Sequence, residues 1–235
     1  MTSAVYQTPV TLSPSRISNF RTCPLQFRFA SIEKLPQPPQ IHLVKGNFVH
    51  RVLELLLGHE PEHRTVEAAR KAFDETRAEY EPSARFTALG LSPDASEAFF
   101  KDSRELVNGY YRMENPRNAK IIGLELRIDS DFGKFKLGGI IDRLEYNEKN
   151  ELVVSDYKTG KVPDARFGAN KMDNMHIYAS LCLRERGELP KRLRLMYLKS
   201  STPIEVEVTP DSNAACEAAA IETFDQIDAS CQSGQ

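Results

Sequence analysis

At 235 residues with 40% apolar content, the chain can bury the core of one large α/β domain or of two small ones, and it reads as one. No run of eighteen apolar residues occurs, and the first twenty residues lack the basic start and apolar stretch of a signal peptide, so the expected location is the cytoplasm, with no membrane partner. The net charge of −2 hides six basic residues against Glu33 alone from Arg16 to Arg51, and ten against four acidic ones from Lys158 to Lys199; the asymmetry suits a grip on a phosphate backbone, or is chance clustering of solvated charges.

Residues 1–12 show no periodic pattern and are expected to form a flexible leader. Ser13 and Pro14 then supply an N-cap and a first helical position, with Ile17 and Phe20 on the apolar side of the helix. Pro24 restarts the chain into a second short helical piece carrying Phe27 and Phe29, and three prolines between Pro36 and Gln40 make a linker. From Lys45 to Leu57, the residues Phe48, Val49, Val52, Leu53 and Leu56 recur at helical spacing, which predicts a buried helix with His50 as its odd residue. Helices are also predicted from Thr65 to Tyr80 and from Ser92, with Pro93 at its first position, to about Met113. Together these make a helical layer over residues 45–115.

Beyond it the pattern turns strand-like. Ile122, Leu124, Leu126 and Ile128 alternate with Glu125 and Arg127, and strands at 134–146 and 151–158 flank the turn residues NEKN. A helix from about Asn170 to Arg186, closed by Gly187, leads to strands at 192–199 and 204–208, so the sheet region spans 119–208; a last helix covers 211–229. Helices, then a three-strand meander, then helix and strand is an α/β sandwich order. Cys23, Cys182, Cys216 and Cys231 are far apart and form no CxxC pair, which argues against a zinc knuckle or a disulfide framework.

Asp156 and Lys158 lie two apart on a strand, so an acid and a lysine share one face. The pair is short and common by chance; its context is the hairpin. If Tyr146 pairs with Glu151, Asp142 falls opposite Ser155; a bulge or an odd-length loop sets Asp142 opposite Asp156 instead. Ile140 and Leu144 share the face of Asp142 in a regular strand, and a charge there is costly unless paired or metal-bound. Two readings stay open: a hard-cation site with a positive group beside it, or a buried ion pair that stitches the hairpin.

The strings LSPSRISNFRTCPLQFRF, KGNFVHRVLELLL, GGIIDRLE, VVSDYKTG and MHIYASLCLRERG stand in the order and rough spacing of RecB-like exonucleases of the PD-(D/E)XK superfamily, which the chain resembles from Ser13 to about Lys199. The resemblance implies a single domain over 13–235 with a restriction-endonuclease-like α/β core, a central mixed sheet flanked by helices, and an inserted N-terminal helical layer. It implies a DNA nuclease dependent on Mg²⁺ or Mn²⁺ and acting in repair or recombination on single strands or duplex ends. A helicase or repair-complex partner is possible, and the sequence does not identify it. Asp142, Asp156, Glu125, His50 and the backbone carbonyl of Tyr157 would hold the metal, while Lys158 would orient or activate the attacking water. Arg16, Arg21, Arg28, Arg166, Lys171, Asn174 and Tyr178 would contact DNA. Asn174 departs from the usual glutamine, which favours the alternative of a weak or inactive DNA-binding module that keeps the fold. Iron-binding members carry a Cys before Pro, as at Cys23 and Pro24, and a tight cysteine cluster after the final helix; these 235 residues lack that cluster, so no 4Fe–4S cluster is expected.

Overall fold

The structure, a computed structural model, describes residues 6–163 and 165–234, except for the side chains of residues 165–171. Strand β1 (Thr11–Leu12) leads into helix α1 (Pro14–Thr22) and the short α2 (Pro24–Phe27), which runs on as a π-helical turn over Arg28–Ile32. Helices α3 (Ile41–Leu57), α4 (Val66–Tyr80), α5 (Ala84–Thr87) and α6 (Pro93–Met113) follow. Strands β2 (Lys120–Asp131), β3 (Lys136–Tyr146) and β4 (Leu152–Lys158) then precede helix α7 (Ala165–Arg186), strands β5 (Arg192–Tyr197) and β6 (Thr202–Glu207), and helix α8 (Pro210–Ser233). The predicted helix starts are set by side-chain caps: Ser13, Thr65 and Ser92 each accept a hydrogen bond from a backbone N–H in the first turn.

The strands form one mixed sheet in the order β1-β3-β4-β5-β6, with β2 also on β3. Pairs β2–β3, β3–β4 and β5–β6 are antiparallel; β1–β3 and β4–β5 are parallel, the latter joined by the α7 crossover that parallel pairing requires. Helices cover both faces. On one, Phe48, Val52 and Leu53 of α3 pack with Phe73 of α4 and Phe99 and Phe100 of α6, over Tyr157 and Met196. On the other, Ile17 and Phe20 of α1, Met175 and Leu181 of α7, and Phe224 and Ile227 of α8 pack over Leu144, Val154 and Leu193. This is the expected central mixed sheet flanked by helices.

Three expectations need correction. The leader is anchored from Tyr6 onward: Tyr6 N–H donates to the Cys231 carbonyl, Lys136 N–H donates to that of Val10, and Leu12 is wholly buried. A two-residue strand is too short to show a period, so the pattern was silent there. The α7 helix begins at Ala165, five residues before the sequence signal. The third concerns the hairpin and its faces. Its five-residue turn closes with Asn147 N–H donating to the Glu151 carbonyl, while the Asn147 side chain accepts from the N–H groups of Lys149 and Glu151. The resulting register pairs Arg143 with Ser155 and Tyr146 with Leu152, the odd-length alternative, and its continuation sets Asp142 beside Asp156.

The face alternation, however, reverses at this level. Leu124 packs with the α3 core but Leu126 with the α7 core, and in β3 Ile141 joins the α7 core while Arg143 reaches Tyr110 on the α3 side. Residues two apart normally share a face. Between them Glu125 holds a left-handed φ of +42°, which turns the strand over. Ile140 is consequently exposed and Leu144 buried, so the two do not share a face.

Candidate metal centre

The pairs Leu124 to Arg143 and Leu126 to Ile141 bracket Glu125 and Asp142, which therefore sit opposite one another on β2 and β3. With Asp156 next on β4, three carboxylates form a row across three strands at the point of reversal. Helix α3 crosses this row and is held down by its apolar stripe of Phe48, Val49, Val52 and Leu53. Its half-buried His50 points back at the sheet, edge-on to the Tyr157 ring at 5.8 Å.

One ligand atom from each of His50, Glu125 and Asp142 lies within 4.8 Å of the other two. His50 Nδ1 is 3.5 Å from Asp142 Oδ2 and 3.8 Å from Glu125 Oε1, and Nε2 is 3.0 Å from the Tyr157 carbonyl oxygen. The backbone N–H of Tyr157 donates to Asp142 Oδ2 at 2.8 Å. Lys158 Nζ lies 2.6 Å from Asp156 Oδ2, so the strand pair read from the sequence is formed.

The electrostatics reflect crowded negative charge. Burial and the neighbouring Asp156 carboxylate push Asp142 up to about 7 against the help of His50 and of the Tyr157 N–H. For His50, burial disfavours the cation, but Asp142, Glu125 and Asp156 outweigh it and raise the imidazole to about 9. Lys158 likewise loses solvation on burial, yet Asp156 more than offsets this and holds its pKa above the ordinary value. Two carboxylates and an imidazole at this spacing suit a hard divalent cation, with Asp156 next along the sheet and paired to Lys158, and the carboxylates that raise these pKa values are the charge such an ion would relieve.

Of the residues expected at the DNA, Tyr178 on α7 is half-buried and takes a hydrogen bond from the Ile140 backbone; it also feels the Asp156 and Asp142 charges, which join burial in raising its phenol. Gly139 makes room for it, since a Cβ there would lie 2.8 Å from the ring. Asn174 is half-buried on the same helix. Arg16 is half-buried and donates one bond to the Thr11 carbonyl. Arg21 and Arg28 are engaged in the fold: Arg21 donates to Thr223 Oγ1 and the Ala219 carbonyl of α8, and Arg28 pairs with Glu33 and stacks on Tyr6. The side chains of Arg166 and Lys171 lie outside the described residues. Sequence reasoning missed Arg143, which is fully buried and pairs with Glu114 and Glu145 beneath the row. Its signal was an arginine amid the apolar residues of GGIIDRLE.

The four cysteines are free thiols, Cys182 and Cys231 buried and Cys23 and Cys216 partly so. Among the described residues, no helix is long and apolar enough to cross a membrane.

The sequence profile of the PD-(D/E)XK nuclease superfamily matches residues 11–233. No curated protein matches the sequence. Among solved structures, a Eubacterium rectale protein described as a "putative exonuclease" superposes with a TM-score of 0.63 at 11% identity, over 96% of this chain and 82% of its own. The protein SSO0001 is 17% identical over 78% of this chain and 84% of its own, with a TM-score of 0.38.

Proposed function

Because the chain belongs to the PD-(D/E)XK nuclease superfamily, we propose that it is a RecB-like deoxyribonuclease that needs Mg²⁺ or Mn²⁺ and trims DNA ends during repair or recombination. The convergence of His50, Glu125 and Asp142 within 4.8 Å, beside the Asp156–Lys158 pair, carries this reading. The exonuclease direction follows the Eubacterium rectale protein, whose fold is shared.

Glu125, Asp142, Asp156 and His50 would hold the ion. The Tyr157 carbonyl, 3.0 Å from His50 Nε2, would orient the imidazole by accepting its N–H, leaving Nδ1, the nitrogen nearer Asp142 and Glu125, to face the ion. A bound divalent ion would acidify the attacking water and neutralise charge building on the phosphate. Lys158, kept cationic by Asp156, donates hydrogen bonds and does not accept the proton; its part is to orient the water and stabilise the transition state's charge. Tyr157 N–H fixes the Asp142 carboxylate in place.

The test is degradation of end-labelled single- and double-stranded DNA with Mg²⁺ or Mn²⁺. Cleavage that EDTA stops and that Asp142→Ala lacks is expected. Metal-independent cleavage, or DNA binding without any cleavage, would overturn the enzymatic reading, the second outcome favouring the inactive module.

A further inference from the structure

The reversal at Glu125 leaves one half of the β2–β3 ribbon roofed by the α3 layer and the other half bare. On the bare half, facing away from the α7 core, lies a cleft of about 480 Å³. Its floor is Arg127, Asp129, Lys136, Gly138, Gly139 and Ile140, and its wall is the segment from Thr11 to Arg16. Its floor runs along the strands toward the metal row, Ile140 being two residues from Asp142 and Arg127 two from Glu125. Among the described residues, neither Arg127 nor Lys136 has an ion-pair or side-chain hydrogen-bond partner, and Ile140 is 42% exposed on a strand. Cations without partners in line with a phosphodiesterase site, around an apolar side chain, match the charge and the base or sugar surface of a polynucleotide.

We propose that this cleft carries one DNA strand to the metal row, with Arg127, Lys136 and Arg16 on its phosphates and Ile140 against a sugar or base. The proposal rests on the nuclease reading above and names the path by which one strand's backbone would reach that site. The six-residue step from Asp142 to Lys136 spans about 20 Å along β3. A stacked strand rising 3.4 Å per nucleotide would lay about six phosphates along it. Asp129, the one carboxylate on the floor, leaves a net positive path because three cations surround it.

The experiment is fluorescence-anisotropy binding of labelled oligo(dT) in Ca²⁺, across a salt series, to wild type, the double variant Arg127→Gln/Lys136→Gln, and the exposed control Lys149→Gln. Removing two phosphate contacts should flatten the slope of log affinity against log salt by about 1.4, which at 0.1 M salt is about a 25-fold loss. The control should behave as wild type, and the melting temperatures of all three should agree, since the altered side chains are exposed. Wild-type affinity and slope in the double variant would overturn the proposal, as would an equal loss in Lys149→Gln. A wild type that binds oligo(dT) through this cleft but never cleaves it would refute the nuclease reading and leave the cleft standing.

Discussion

Lys158 and Asp142 belong to the same candidate site, the aspartate in the carboxylate row and the lysine paired to it through Asp156, yet their removal should read out differently. Lys158 is proposed to act on the transition state, so Lys158→Ala should lower turnover by about two to four orders of magnitude with metal affinity little changed. Asp142→Ala removes a carboxylate next to His50 and Glu125 and should abolish Mg²⁺ binding as well as turnover. Calorimetric metal titration beside single-turnover cleavage separates the two; a Lys158→Ala enzyme with wild-type turnover would reduce the lysine to a structural partner of Asp156. At this scale the sequence was most informative where residue types and strand spacing suffice, as for Asp156 and Lys158. It was silent where the backbone departs from regularity. Nothing in KIIGLELRI announces that Glu125 takes a left-handed φ, because glutamate carries no preference for that region. Arg21 and Arg28 show the opposite failure: charge alone cannot say whether a cation faces a ligand or, as here, a carbonyl and a carboxylate of its own fold.

Elements with strong periods and caps were legible: α4 and α6 fall where their apolar stripes and Thr or Ser caps put them, while α3 ends where its stripe does but starts at Ile41, four residues early and without a side-chain cap. Tertiary pairing was not. The β1 strand exists only because β3 offers an edge beside Lys136 and Leu137, and α7 starts at Ala165, ahead of the Asn170 expected from the sequence. Gly109 is a second case, since inside α6 it reads as a mild helix weakener. In the fold it lets α6 lie against the chain just after β5, where a Cβ would stand 2.0 Å from the Leu198 carbonyl oxygen. Backbone cannot swing aside as a flexible side chain can, so Gly109→Ala should lose about 2 kcal/mol of stability through overpacking despite alanine's better helix propensity. The midpoint of urea unfolding measures it; an unchanged or raised midpoint would show that α6 can shift freely.

For the molecule as a whole, the crowded charge at the metal row links stability to pH. The folded chain holds the His50 proton up to about 9 and the Asp142 proton up to about 7, both above ordinary values. A raised pKa contributes stability that is complete below the unfolded value and is lost as pH rises through the folded one. In EDTA the melting temperature should therefore fall from about pH 4 to 7 as Asp142 loses its proton, and on to about pH 9 as His50 does. Metal ligands must be neutral imidazole and ionised carboxylate, so Mg²⁺ has to displace these protons and its stabilisation should grow over the same window. At a hundred times its dissociation constant the ion adds about 2.7 kcal/mol. Melts in EDTA and in Mg²⁺ at pH values about 6 and about 9 check this; equal metal-induced shifts at both would contradict it.

The anchored N-terminal segment has a temporal consequence. Thr8 donates to the Asp228 carboxylate across 220 positions of sequence, and Tyr6 to the carbonyl of Cys231. Contacts so distant along the chain close late, because the entropy of the intervening loop must be overcome first. On the ribosome, which delivers residues in order, Thr11 and Leu12 can pair with β3 well before Thr8 and Tyr6 can be tied to α8. A nascent chain then has its acidic row and the wall of the Arg127 cleft in place while the residues just ahead of that wall are still loose.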